Sequence, residues 1–117
     1  MDAKGEKLRL DLLPWDALEE VAKLMMAQAK AHGDMPGAKG WERLPPDIAI
    51  PNYRGAIARH TSKMMQGKDT DESGFMVEAC IAANALIVIA KRLEENRLEA
   101  GYGLGGGSPC GEIALGK

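Results

Sequence analysis

A chain of 117 residues is the size of a single domain and can bury roughly two thirds of the surface that its unfolded form exposes. Its 15 Lys and Arg against 17 Asp and Glu leave no broad electropositive surface of the kind that dominates polynucleotide affinity, so no nucleic-acid partner is expected. With 45% hydrophobic residues but only 4% aromatic ones, the core must be built from Leu, Ile, Val, Met and Ala, and the expected fold class is all-α.

The opening stretch MDAKGEKLRLDLLP carries charge with no apolar signal core behind it, which does not support export. Pro14 then suits the first turn of a helix, where a missing N–H costs nothing, and Asp16 complements the N-terminal dipole. Ala17, Leu18, Val21, Leu24, Met25 and Ala29 recur at helical spacing, and Gly33 follows Lys30 and His32 as a stop. Residues Gly33 to Pro51 hold three glycines, four prolines and Trp41. Pro45-Pro46 interrupts any helix there, so an ordered loop is expected up to a second helix capped by Asn52 and closed by Gly67. One face of that helix carries Tyr53, Ala56, Ile57, His60 and Met64.

The polar turn KDTDESG leads into a third helix expected from about Phe75 to Leu98. Its first part is apolar on every side, as in the central helix of a bundle, and its last turns, KRLEENRLE, read as solvated. The apolar run from Phe75 to Ala90 contains Glu78 and Asn84 and falls short of the ~20 residues that span a bilayer, so no membrane partner is expected. Three helices make a small core for one chain. The expected architecture is therefore a small helical bundle over residues 1–100, completed by homo-oligomerisation, as a dimer or tetramer, through the third helix. Residues 101–117 hold seven glycines and read as a flexible tail, with no strand before them, nor a Lys-Ser/Thr ending, to make a phosphate loop. Cys80 and Cys110 lack metal-like spacing and read as free thiols in a reducing cytoplasm.

The residues able to do chemistry are mostly acidic. Glu19 and Glu20 stand together on the first helix. An exposed pair between Glu19 and Lys23 accounts for them structurally, whereas an inward-facing carboxylate would supply the oxygen donor that Mg²⁺ prefers. Asp69, Asp71 and Glu72 cluster before the third helix, where first-turn carboxylates also stabilise the dipole. Glu78 is the one charge in the apolar run, and an isolated carboxylate there would lose several kcal/mol of solvation unless paired or metal-bound. Asn84 must find a partner for its amide, either a helix carbonyl or a bound base. His60 lies on an apolar face beside Arg59 and near Lys63, which leaves open a core histidine or a phosphate contact.

The string LRLDLLPWDALEEVAKL, followed in order by AKAHGD, KGW, YRGAIARH, GKDTDESG and AANAL, resembles the phage-associated dATP/dGTP diphosphohydrolase N-terminal domain family, which belongs with the all-helical MazG-like pyrophosphohydrolases. The likeness runs from about Lys7 to Leu93. It implies a helical oligomer that binds Mg²⁺ or Mn²⁺ and splits a deoxynucleoside triphosphate, dATP or dGTP, into monophosphate and pyrophosphate in the cytoplasm, that of the host if the protein is phage-encoded. Glu19 and Glu20 match the family's Glu pair, Arg59 and His60 its RH pair, Asp71 and Glu72 its acidic turn, and Asn84 its late Asn.

On this reading the catalytic carboxylates are Glu19, Glu20 and Glu72, and the metal ligands are Glu19, Glu20, Asp71 and Glu78. The phosphate contacts are Lys39, Arg59 and His60, and the base contacts are Trp41 and Asn84. Two features depart from the pattern. Val77 and Cys80 stand where relatives tend to carry histidine, and Lys23 replaces the last Glu of the EExxE signature of MazG. The rival expectation is a non-catalytic helical phage accessory or interaction module that has lost metal binding, with Lys23 and Cys80 as the marks of that loss.

Overall fold

The structure is a computed structural model and describes residues 7–31, 33 and 40–103. Three α-helices dominate it: α1 (Trp15–Ala31), α2 (Pro46–Met65) and α3 (Val77–Gly103). Single 3₁₀ turns lie at Leu10–Leu12 and Gly40–Arg43. Among the described residues there is no β-strand, only an isolated bridge between Thr70 and Met76. No helix among them is long and apolar enough to cross a membrane.

The first helix follows its sequence signals closely. Pro14 accepts the first backbone bond, from the Leu18 N–H at 3.1 Å. The helix ends at Ala31, and Gly33 just beyond it has a φ of 78°, a left-handed conformation that a Cβ would make costly. The second helix begins earlier than expected. Pro46 takes its first position, where the ring's fixed φ is already helical and no N–H is needed. Asn52 is therefore not a cap but an exposed residue inside α2. Pro51 also lies inside the helix and lacks the N–H that would bond back to the carbonyl of Asp47.

α3 is the central helix, against which both α1 and α2 pack, α2 more extensively. Val21 and Leu24 of α1 form one cluster with Ala79, Cys80 and Ala83 of α3, and Met25, Phe75 and Ala82 close around it. On the α2 side, Pro46 and Ala49 are buried, as are Ile87, Val88 and Lys91 of α3.

Two expectations about α3 fail. Lys91, read as part of a solvated end, is completely buried. Its ammonium donates to the backbone carbonyls of Glu42 and Leu44 and to Glu94 Oε1, and it lies 5.8 Å from the centre of the Trp41 ring. Every donor of the buried charge is thereby directed at an acceptor, and the 3₁₀ turn at Gly40–Arg43 is held onto α3. Conversely, α3 is not buried on all sides. Leu86, Ile89 and Leu93 fall on one stripe of the helix and are 41%, 53% and 51% exposed.

Candidate functional site

The turn between α2 and α3 is tightly built. Asp71 N–H donates to the Phe75 carbonyl and Gly74 N–H to the Asp71 carbonyl, both at 3.0 Å, while Val77 N–H reaches Asp69 at 2.9 Å. Gly74, at φ 89°, supplies the left-handed residue that this closure requires. The side chain of Asp71 folds inward over the turn: Oδ1 accepts from the Ser73 N–H at 3.0 Å and from the Ser73 hydroxyl at 2.6 Å. Its other oxygen, Oδ2, accepts from the Cys80 thiol at 3.3 Å.

His60 of α2 completes a group of three. One donor atom each from His60, Asp71 and Cys80 lies within 4.8 Å of the other two. Among the described residues this is the group of three or more His, Cys, Asp or Glu side chains that could hold a metal ion. Cys80 is buried, and His60 and Asp71 are half-buried. The Nδ1 atom of His60 is buried with no hydrogen-bond partner, so it is neither a satisfied core nitrogen nor one open to solvent.

The electrostatics of the group follow from its burial. Burial pushes the Cys80 thiol up to about 11, reinforced by the hydrogen bond to Asp71 and by that residue's charge, while Lys63 pulls the other way. Burial also pushes Asp71 up, but hydrogen bonds from Ser73, from Cys80 and from the backbone outweigh it and hold the carboxyl below its ordinary value. The group is therefore a carboxylate accepting a hydrogen bond from a neutral thiol.

The other expected site residues are distributed around this group. Glu72 is exposed and takes both Lys63 contacts, at 2.8 and 2.9 Å, and the hydrogen bond from Lys63 holds its carboxyl below the ordinary range. On α1, Glu19 is exposed, and Glu20 is half-buried with the Lys23 ammonium 2.9 Å from its carboxylate. The pairing that forms is thus Glu20–Lys23, rather than Glu19–Lys23.

Glu78 is exposed in the first turn of α3, so the desolvation argument for a bound metal does not apply to it. Asn84 is buried, and its Nδ2 donates to the Cys80 carbonyl at 2.7 Å. Its amide therefore has the helix-carbonyl partner, on the same turn of α3 that carries the cysteine. Arg59 is exposed beside His60, and Trp41 is half-buried against Lys91. Lys39 lies outside the described residues, as does Cys110 in the glycine-rich tail.

His60, Asp71 and Cys80 were each visible in the sequence, but only the fold brings them together. Lys91 was missed because nothing in the local sequence reveals the carbonyls that surround it.

These features define an all-helical protein with a carboxylate, an imidazole and a thiol gathered where α2, the connecting turn and α3 meet. Residues 1–100 match the family described as dATP/dGTP diphosphohydrolase, N-terminal, and the chain belongs to that family. No curated protein and no solved structure gives a significant match.

Proposed function

We propose that the protein hydrolyses a purine deoxynucleoside triphosphate, dATP or dGTP, to the monophosphate and pyrophosphate. Membership of the dATP/dGTP diphosphohydrolase N-terminal domain family across residues 1–100 is the observation that carries this reading. The position of Asp71 beside His60 supports it, because a carboxylate and an imidazole at one locus are groups from which phosphoryl-transfer sites are built.

A divalent cation, Mg²⁺ or Mn²⁺, would neutralise phosphate charge and activate water in such a reaction. Among the described residues, no three of Glu19, Glu20, Asp71 and Glu78 gather into an oxygen-only group. In this reading the metal is held by one or two carboxylates, water and the substrate's own phosphates, which is the usual habit of Mg²⁺. In this reading Arg59, His60 and Lys39 meet the triphosphate, Glu72 orients water, and Trp41 and Asn84 border the base.

The exposed stripe of Leu86, Ile89 and Leu93 supports a MazG-like homo-oligomer, a dimer or tetramer, formed through α3. The cytoplasm, of the phage host if the gene is a phage one, is the proposed compartment. A second reading, the non-catalytic interaction module, is favoured by one observation: the Lys23 ammonium occupies Glu20, neutralising a proposed ligand.

Chromatographic product analysis with each dNTP, with Mg²⁺ or Mn²⁺, separates the two readings. Equimolar monophosphate and pyrophosphate from dATP or dGTP supports the hydrolase. Absence of turnover with every nucleotide and both metals supports the module.

A further inference from the structure

We propose that His60, Asp71 and Cys80 form a binding site for a thiophilic divalent transition metal of the Zn²⁺ type, with Cys80 bound as the thiolate. The three donors come from three separate places: α2, the connecting turn and the start of α3. Their mutual separations, within 4.8 Å, are close to what one ion demands. Tetrahedral Zn²⁺ has bonds of about 2.0–2.3 Å to nitrogen, oxygen and sulfur, and hence donor-to-donor edges of about 3.3–3.8 Å. The Cys80 sulfur and the Asp71 oxygen already stand 3.3 Å apart. The remaining edges need to close by no more than about 1.5 Å.

Two further observations point to a ligand. His60 Nδ1 is buried and unpaired, a costly condition in a native interior that a metal bond to Nδ1 itself would relieve. Asp71 is already oriented by two bonds from Ser73, the kind of outer support that holds a ligating carboxylate in place.

The donor set decides the class of metal. One thiolate and one imidazole beside one carboxylate suit Zn²⁺ or Co²⁺, whereas Mg²⁺ takes oxygen donors. On binding, the metal–sulfur bond forms as the S–H bond breaks, and the proton passes from Cys80 to solvent, one for each metal bound. Three protein donors leave a fourth position for water, as in zinc sites that are not closed. This inference rests on the geometry of the group, which shares His60 and Asp71 with the proposed hydrolase site. A Zn²⁺-type ion here would tie α2 to α3 whether or not the protein turns over a nucleotide.

The test uses full-length protein carrying Cys110→Ser, so that Cys80 is its one cysteine, stripped with chelator and titrated with Co²⁺. The expected result is a near-ultraviolet thiolate-to-cobalt charge-transfer band that saturates at one equivalent and is abolished by Zn²⁺ but not by excess Mg²⁺. Cys80→Ser should remove the band with helix content retained. His60→Gln should weaken Co²⁺ binding by at least the roughly 10- to 100-fold that follows from losing even an outer-shell partner, and it decides the matter if Cys80→Ser fails to fold. No band in the folded Cys110→Ser protein, or a band unaffected by either substitution, overturns the proposal. Because cobalt absorption reads metal binding and pyrophosphate release reads the reaction, either idea can fail without the other.

Discussion

Lys91→Met isolates what the buried ammonium contributes, because methionine keeps most of the apolar stem and removes the charge. In the wild-type protein the fully buried Lys91 serves the carbonyls of Glu42 and Leu44 and the carboxylate of Glu94. A hydrogen bond from a charged donor contributes about 1.5–3 kcal/mol, and a carbonyl left dry costs about 1–3 kcal/mol. Against this stands the desolvation of one ammonium, itself several kcal/mol, which the variant no longer bears. Glu94 is only partly buried and can turn to water, which leaves the Glu42 and Leu44 carbonyls as the groups that lose their partner.

The expected net loss is about 1–3 kcal/mol, and for a domain of this size each kcal/mol lowers Tm by roughly 4–8 °C. Thermal melts followed by circular dichroism give the magnitude. Trp41 fluorescence in a Trp15→Phe background gives the location, with a red shift expected as the 3₁₀ turn loosens from α3. An unchanged Tm together with unchanged Trp41 emission would refute the claim that Lys91 pins the turn.

Further outcomes follow from the same structure. Gly74→Ala should cost about 1–2 kcal/mol and lower Tm, because the position has φ 89° and no neighbouring atom within 4 Å of an added Cβ. The cost is thus conformational rather than steric. Burial pushes the Tyr53 phenol above its ordinary value of 10.0, so its contribution to stability is present below that value and is lost as pH rises through the folded value. Phenolate absorbance should therefore contain a late-titrating component in the folded protein that disappears in Tyr53→Phe. If the proposed homo-oligomer forms through α3, Ile89→Asp, which places a charge in the exposed stripe, should shift the protein to monomer in sedimentation velocity; an unchanged sedimentation coefficient would overturn that proposal.

What the sequence made legible depended on how local the cause was. α1 has its proline, its apolar spacing and its terminal glycine within a single stretch, and it formed where they placed it. The start of α2 was misplaced because Pro45-Pro46 reads as a breaker, while the second proline is an effective first helical residue. Glu78 was judged by the apolar run around it, yet a helix has room for an exposed residue even in such a run, and this one stands outside the packed face. Lys91 depends on carbonyls far away in sequence, so no pattern in KRLEENRLE could reveal its burial. Asp71, His60 and Cys80 were all conspicuous as residue types, but their convergence requires the turn closed by Gly74 and the pairing of α2 with α3.

The most direct test of the functional account is pyrophosphate release from dATP and dGTP by the full-length protein in the presence of Mg²⁺ or Mn²⁺, with Asp71→Asn and Lys23→Glu measured alongside. Expected are metal-dependent release matched by the monophosphate, a loss of about 10²-fold or more in kcat/KM for Asp71→Asn, equivalent to roughly 2.7 kcal/mol of transition-state stabilisation, and tighter activation by Mn²⁺ when Lys23→Glu frees Glu20. No release from either nucleotide, or a rate indifferent to the loss of the Asp71 carboxylate, would contradict it.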